Sequence, residues 1–306
     1  MIRNILIFIF LVFIVGCGQS PNQAAPQPIE TATAAQAQPD PQTKLESAAP
    51  INLKQEEVTN KTWYRNQVMV LNYHHIDRTF KSPYTITPEN FLEQMEFLKK
   101  NNFHPLKLEE FYEFMGTGLL TQENAVLITF DDGYESFYKE AFPILKRFEF
   151  PAANFVVYEK LRDSIDRKRE KMIPPLTFVQ MKEMTESGLI SFQSHSYGIH
   201  EETERDQTEG EQDYRSKLFV DFSMSRAALE SLVGYPILGI AYPHGVKNDA
   251  LLQVVKKVGY KYGFAVNYAL VNKDTNPLLI PRVDVGKADL GITDLRRIIM
   301  DVTHTK

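Results

Sequence analysis

Short apolar runs rich in β-favouring residues recur along the chain, and stretches with helical spacing separate them. The apolar runs predict strands at 67–73, 125–130, 152–157, 189–193, 238–242, 262–266 and 278–283. A shorter extended piece is expected at 105–108, and helices are expected at 108–115, 135–148, 175–188, 214–233 and 248–258. An earlier helix opens at Thr87 and Pro88, an N-cap residue followed by a proline at the first helical position. The alternation predicts an α/β fold, a distorted (β/α) barrel with seven parallel strands.

Residues 1–17 have the pattern of an export signal. Arg3 precedes an apolar run at 5–15 that is short for a membrane span. The run ends at Gly16 and Cys17, which resembles the lipobox of bacterial lipoproteins, where the cysteine is acylated and becomes the first residue of the mature protein. We therefore predict a lipoprotein signal peptide with lipidation at Cys17, exported and anchored to the outer face of a bacterial membrane. A plain signal peptide or anchor with an unrelated cysteine is the alternative.

The segment 18–62 is rich in Pro, Gln, Ala and Thr and has no apolar periodicity. Such a composition cannot offset the entropy of ordering, so we predict a disordered tether here and a folded domain at 63–306. No appended glycan-binding or hydrolase domain is expected. Cys17 is the single cysteine, which excludes an internal disulfide.

The net charge of the chain excludes only a few classes of binding partner. The net charge of −5 and the absence of a basic stripe indicate no nucleic-acid partner and no polyanionic substrate. We expect a monomer.

The polar residues that could take part in catalysis or metal binding follow predicted strands. Asp131 and Asp132 come directly after the run AVLITF, and His74, His195 and His244 end three other strands. In a β/α barrel the carboxyl ends of the strands meet at one rim, where active sites lie. A pair of adjacent carboxylates suits catalysis if one binds a cation and the other takes a proton. The alternative is an ordinary Asp-Asp-Gly turn.

His195 and His200 are five positions apart in SHSYGIH. On a helix this spacing would separate them by about 140°, so a loop that curls back is favoured. Two imidazoles with one carboxylate would give the open, three-ligand site of a catalytic zinc. Two unrelated surface histidines are the alternative.

Four motifs together resemble the polysaccharide deacetylase family, the NodB-type enzymes of carbohydrate esterase family 4. TFDDG at 129–133 is similar to the first family motif, and SHSYGIH at 194–200 to the second. LNYHHI at 71–76 and AYPHG at 241–245 are similar to the subgroup that deacetylates poly-β-1,6-N-acetylglucosamine. The resemblance extends from about residue 68 to residue 285.

The resemblance implies a role for each motif residue. Asp132, His195 and His200 would bind a divalent metal, most simply zinc, with Asp131 as general base and His74 as general acid. The metal would acidify a water and polarise the acetamide carbonyl. A backbone N–H in the loop of Tyr242, Pro243, His244 and Gly245 would help to stabilise the oxyanion. The substrate would be an N-acetylated glycan polymer, and the products acetate and a glucosamine unit.

Two positions depart from the subgroup. His244 stands where a tyrosine is usual, and the arginine that many members place near the third motif is absent there. Arg282 and Asp284, in PRVDV, resemble a later motif whose charged residues orient the catalytic pair. The alternatives are that Arg282 lies at the surface and that His244 is a simple turn residue.

Strand alternation distinguishes His74 from His75. Side chains at 68, 70, 72 and 74 share one face, while the bulkier apolar set at 69, 71, 73 and 75 shares the face expected to pack on outer helices. This pattern directs His74 toward the mouth of the barrel, in agreement with the resemblance.

Three other functions remain open from the sequence. The first is a deacetylase of peptidoglycan or chitin oligomers, and the second is a carbohydrate-binding lipoprotein with a decayed site. The third is the solute-binding lipoprotein of a transporter. Because all five candidate catalytic and metal residues are present, the enzyme is favoured over both binding proteins.

Overall fold

The computed structural model describes residues 61–161 and 173–304. The predicted signal peptide, Cys17 and nearly all of the predicted tether lie outside the described residues.

Ten strands occur in the described residues, and every pair between named strands is parallel. They are β1 (Val68–Tyr73), β2 (His75–Ile76), β3 (Thr85–Ile86), β4 (His104–Pro105), β5 (Ala125–Asp132), β6 (Ala152–Val157), β7 (Ile190–Ser196), β8 (Gly239–Ala241), β9 (Tyr262–Phe264) and β10 (Val283–Asp284). Hydrogen-bonded neighbours follow the order β10-β1-β5-β6-β7-β8-β9, while β4 pairs with β5 outside this path and β2 pairs with β3. This path contains seven strands, as the sequence predicts.

The two ends of this path approach each other through the segment that leads into β10. Ala265 N donates to Ile280 O at 2.8 Å, and Asn267 N donates to Arg282 O at 3.1 Å. The predicted strand at 278–283 therefore overlaps the regular strand, Val283–Asp284, at Val283 alone, and Ile280 contributes an isolated bridge to Phe264. The result is the distorted barrel that the alternation of elements predicts.

Successive side chains of a strand point to opposite faces of the sheet, and the hydrophobic core accordingly forms two clusters. Val68 and Val70 lie in an inner cluster, whereas Met69, Leu71 and Tyr73 pack in an outer cluster beneath the helices. All six residues of β1 are buried, as expected for a parallel strand covered on both faces. The faces of β1 are therefore those that the sequence predicts.

Seven α-helices surround the sheet in the described residues. They are α1 (Pro88–Lys100), α2 (Leu108–Thr117), α3 (Phe142–Phe148), α4 (Phe178–Glu186), α5 (Glu211–Val233), α6 (Asp249–Val258) and α7 (Ile292–His304). The Thr87 side chain accepts from Asn90 N at 3.1 Å, so the predicted cap of α1 is confirmed. The sequence analysis did not predict α7.

The predicted helix at 135–148 is confirmed, and it contains a π-helical turn. Glu135 and Ser136 are α-helical, Phe137–Ala141 forms the π-helical turn, and α3 continues the helix from Phe142. Pro143 lacks an N–H, so a regular α-helix through this point would leave a carbonyl without its i+4 donor.

Helix α2 closes the amino-terminal end of the barrel. Phe111 and Phe114 belong to the inner cluster together with Val68 and Ala125, the first residues of β1 and β5. The Tyr112 ring stacks on that of Tyr262, at the start of β9, with centroids 4.0 Å apart. The polar residues lie at the opposite, carboxyl-terminal end of the barrel.

Among the described residues, no helix is both long enough and apolar enough to span a bilayer.

Candidate active site

The predicted site residues meet at the carboxyl-terminal rim of the barrel. Asp131 and Asp132 are the last two residues of β5, and His195 is the penultimate residue of β7. These three therefore lie within the strands, whereas the sequence placed them just beyond. His74 directly follows β1, and His200 opens a short 3₁₀ turn after β7.

Asp132, His195 and His200 converge on one point. Asp132 Oδ1 lies 3.2 Å from His200 Nε2 and 3.8 Å from His195 Nε2. One donor atom from each of the three buried residues lies within 4.8 Å of the others. Asp132 Oδ1 is buried and accepts no hydrogen bond with acceptable geometry. A buried, unsatisfied carboxylate oxygen facing two imidazoles fits a divalent cation.

The backbone at Asp132 is strained in a way that serves this convergence. Its φ angle is +73°, in the left-handed region, and Gly133 follows with φ of +71°. A non-glycine residue in this conformation costs on the order of 1–3 kcal/mol. The strained turn ends β5 and aims the Asp132 carboxylate at the two histidines.

Each histidine is oriented by its second ring nitrogen. His195 Nδ1 lies 2.9 Å from Ala241 O, and His200 Nδ1 lies 2.7 Å from Glu201 Oε1. Because both partners are acceptors, each Nδ1 carries the proton and each Nε2 presents its lone pair to the site. The sequence analysis did not identify Glu201, although it directly follows His200.

Electrostatics favours the protonation state that a cation requires at two of the three ligands. Burial lowers the pKa of His195 to about 4, so its imidazole is neutral near pH 7. Burial raises the pKa of Asp132, but the neighbouring histidines outweigh it and hold that pKa well below its usual range. At His200, burial lowers the pKa, but the carboxylates of Asp132 and Glu201 outweigh it and raise that pKa overall, so a cation has to displace a proton there. An ionised carboxylate with two imidazoles is the donor set of an open catalytic metal site.

Asp131 does not join this trio but pairs with Arg282. Arg282 NH1 and NH2 each donate to one Asp131 oxygen at 2.7 Å. Only 1 % of Arg282 is exposed, which excludes the alternative of a surface residue. Burial raises the pKa of Asp131, but the charge of Arg282 outweighs it and lowers the pKa overall. The pair keeps Asp131 ionised and fixes its orientation, the function that the later motif implies for Arg282.

His74 lies on the other side of Asp131. Its Nε2 is 3.8 Å from Asp131 Oδ2, and the buried Nδ1 has no hydrogen-bond partner. Asp284, at the carboxyl end of the neighbouring β10, has an unpartnered buried Oδ1, and its Oδ2 is 3.4 Å from Lys287 Nζ. His74 and Asp284 thus end adjacent strands at the rim, as the resemblance implies.

Two exposed tyrosines flank this corner of the site. The Tyr84 ring lies 5.0 Å from that of His74, and Tyr268 OH donates to Asp284 O at 3.2 Å. Tyr84 and Tyr268 are about half exposed. The sequence offered no signal for either, because each lies in a loop.

His75 is held away from the site. Its Nδ1 lies 2.8 Å from Ser136 Oγ, and its ring packs edge-on against Phe80 and Tyr134. The two adjacent histidines therefore occupy different environments, and only His74 reaches Asp131.

The loop of Tyr242, Pro243, His244 and Gly245 lies at the end of β8. The N–H groups of Tyr242 and Gly245 donate to Phe264 O and Tyr242 O, and proline has none. The His244 N–H is therefore the group in this loop that can serve an oxyanion. His244 has φ of +54°, and its exposed Nε2 lies 3.4 Å from Glu201 Oε2. The reading of His244 as a turn residue thus fits its backbone, while its side chain faces the metal-ligand loop.

Comparisons with known proteins show which proteins this chain is similar to. Residues 120–263 match the family model described as polysaccharide deacetylase. Two relatives are named poly-beta-1,6-N-acetyl-D-glucosamine N-deacetylase. The one from Staphylococcus aureus is 28% identical over 232 residues, which is 71% of this chain and 78% of the relative. The one from Staphylococcus epidermidis is 28% identical over 262 residues, which is 79% of this chain and 88% of the relative.

Solved structures share the fold. Streptococcus pyogenes deacetylase PplD, in complex with acetate, is 25% identical with a TM-score of 0.66 and covers 76% of this chain and 98% of its own. IcaB from Ammonifex degensii is 23% identical with a TM-score of 0.65 and covers 76% of this chain and 97% of its own. The resemblance that the motifs predicted is confirmed, and with it the enzyme class, polysaccharide N-deacetylase.

Proposed function

We propose that this enzyme is a zinc-dependent N-deacetylase of poly-β-1,6-N-acetylglucosamine. The observation that carries the proposal is the separation of the two adjacent carboxylates. Asp132 faces His195 and His200, whereas Asp131 pairs with Arg282 and approaches His74. One carboxylate is thus available to a cation and the other to a proton.

Asp132, His195 and His200 would hold the metal, which supplies a water of lowered pKa and a Lewis acid for the acetamide carbonyl. Asp131, kept ionised by Arg282, takes the proton of the attacking water. The His244 N–H donates to the developing oxyanion. His74 Nε2 donates a proton to the leaving amine, and acetate and a free amino sugar result.

Two observations support the proposed substrate: the names of the similar proteins and the exposed aromatic rings at the rim of the barrel. The two staphylococcal relatives carry the name of a poly-β-1,6-N-acetylglucosamine deacetylase. The exposed rings of Tyr84, beside His74, and of Tyr268, which contacts Asp284, offer faces on which sugar rings can pack. Both features support a polymeric glycan as the substrate.

Acetate release from a panel of acetylated glycans tests the substrate. We expect release from β-1,6-linked N-acetylglucosamine oligomers and little from peptidoglycan or chitin oligomers. A preference for either of the latter would assign the same chemistry to another glycan.

A pair of variants tests the two carboxylate roles. Asp132→Ala should lose both zinc and activity, because a methyl group cannot replace a ligand. Asp131→Asn should retain zinc while losing about 100- to 10,000-fold in rate, the typical contribution of positioned proton transfer. Metal analysis of both purified proteins separates the roles, and a zinc-free Asp131→Asn protein would show that they are exchanged.

We also propose that Cys17 carries the lipid and that 18–62 tethers the domain to the outer face of the membrane. A flexible chain of this length has a root-mean-square span of roughly 35–40 Å. The enzyme would then meet the polymer close to the membrane. Cys17→Ser should release the protein from membranes with no loss of specific activity on soluble oligomers, and continued sedimentation with membranes would contradict the lipid assignment.

A further inference from the structure

We propose that Asp221 is the positioning residue that sets the loop between the two metal-binding histidines. Asp221 lies on α5 and is 6% exposed, and its carboxylate accepts hydrogen bonds from the backbone of the loop. The inference rests on the proposed metal site, and it concerns how the chain builds that site.

Three consecutive N–H groups of the loop converge on this one carboxylate. Tyr197 N donates to Asp221 Oδ1 at 2.8 Å, and Gly198 N and Ile199 N donate to Oδ2 at 2.7 and 3.1 Å. The residues that donate are those between β7, which carries His195, and His200. Hydrogen bonds to an ionised acceptor are roughly twice as strong as neutral ones. The carboxylate therefore fixes three successive peptide groups at once.

The loop carbonyls are held from the other side. Thr203 Oγ1 donates to Ile199 O at 3.0 Å and to His200 O at 3.2 Å. Tyr214, also on α5, donates from its hydroxyl to Thr203 O at 3.0 Å. Helix α5 thus holds the loop at both ends, and His200 lies between the two attachments.

This arrangement explains how a spacing of five residues can place two imidazoles on one point. His195 is fixed by β7 and by Ala241 O, so the position of His200 depends on the path of the loop. Without Asp221, three successive N–H groups would lose the shared acceptor that holds them together, and the loop would no longer be fixed in this path. Asp221 therefore acts on the metal through His200.

The test uses the full chain, freed of metal by a chelator, with zinc affinity measured by competition. We expect Asp221→Asn to weaken zinc binding about 10-fold, the lower end of the cost when the orientation of a metal ligand is lost. Ser225→Ala is the matched control, because buried Ser225 lies one turn further along α5 and bonds Ser194 Oγ at 2.7 Å, next to His195. The control should lose stability and retain its zinc affinity.

A double-variant cycle separates positioning from general stability. In a His200→Ala background, Asp221→Asn should no longer change zinc affinity, since the ligand it positions is gone. The visible absorption of bound Co²⁺ should change in Asp221→Asn and not in Ser225→Ala. If Asp221→Asn does not fold, Asp221→Glu takes its place, and its affinity should lie below that of the control.

Two results would overturn the inference. Zinc affinity and Co²⁺ spectrum equal to those of the control would make Asp221 merely structural, as would an equal effect of Asp221→Asn with and without His200. A wild-type chain that binds neither metal would instead overturn the proposed metal dependence, and the inference with it.

Discussion

The carboxylate of Asp131 is governed by two opposing effects, and their balance decides whether it can act as a base. Burial alone would raise its pKa, whereas the buried guanidinium of Arg282 lowers that pKa. The charge of Arg282 outweighs burial in its effect on this pKa, because both Arg282 donors lie 2.7 Å from the carboxylate oxygens. Asp131 is therefore ionised at neutral pH, but it is a weaker base than a solvated carboxylate.

Replacing Arg282 tests this balance. In Arg282→Gln, the largest of the charges that oppose burial is removed, so the pKa of Asp131 should rise and the acidic limb of the kcat/KM profile should move to higher pH. In the wild type, a depressed folded-state pKa contributes stability above the unfolded value of about 3.9, and this contribution is lost as the pH falls through the folded pKa. In the variant this contribution shrinks, and the loss of about 3–5 kcal/mol from an unpaired buried charge should grow as the pH rises. If kcat/KM and the free energy of unfolding depended on pH in the same way in both proteins, this account would be contradicted.

His74 and His75 provide a second test of single residues. His74→Ala should lower the hydrolysis of an acetamide by about 100-fold or more, because the amine must leave protonated. Hydrolysis of an activated aryl acetate, whose leaving group needs no proton, should change far less. His75→Ala serves as the control, since His75 contacts Ser136 and Tyr134 and should affect stability alone. An inactive His75→Ala protein that retains its metal would refute the assignment.

Helices α2 and α5 serve opposite ends of the barrel. Helix α2 fills the amino-terminal end with apolar side chains, while α5 supplies Asp221 and Tyr214 to the loop at the functional rim. Stability and chemistry are therefore separated along the barrel axis, as is general for barrels of this class.

Because the apolar packing and the metal site lie at opposite ends of the barrel, a destabilising substitution at the amino-terminal end should leave the metal site intact. Phe111 is fully buried and packs against Phe264, with ring centroids 5.9 Å apart. Phe111→Ala should lower the free energy of unfolding by about 3–5 kcal/mol, the usual cost of removing a buried aromatic ring. Zinc affinity, measured below the melting transition, should equal that of the wild type. A large loss of zinc affinity would show that the two ends are coupled.

The domain as a whole should be stabilised by the metal, because the three ligands come from separate parts of the chain. Asp132 ends β5, while His195 and His200 follow from β7 and its loop, so the site exists only when the barrel is folded. A ligand that binds only the folded state at 100 times its Kd adds about 2.7 kcal/mol.

Chelation should therefore lower the Tm by roughly 5–10 °C for a domain of this size, and zinc should restore it in a concentration-dependent manner. The Asp132→Ala variant is the control, since its Tm should not respond to zinc. An equal response in both proteins would place the stabilising metal elsewhere.

The sequence by itself determined the architecture and most of the site. Strand and helix periods are local properties, so the seven strands, the cap at Thr87 and the faces of β1 could be predicted from neighbouring residues. The motif residues could be placed at one rim because parallel strands of a barrel share a direction. The π-helical turn before Phe142 and helix α7 were missed, although Pro143 and the spacing of α7 are visible in the sequence.

The tertiary structure alone decided how these residues are oriented. Arg282 and Asp131 are 151 positions apart, and only the closure of the barrel brings the guanidinium onto the carboxylate. Asp221 lies on a helix with no motif of its own, and nothing in its neighbours shows that it accepts three N–H groups of a distant loop. Local patterns specify which elements form, whereas contacts between distant residues depend on how those elements pack, and no periodicity in the sequence encodes them.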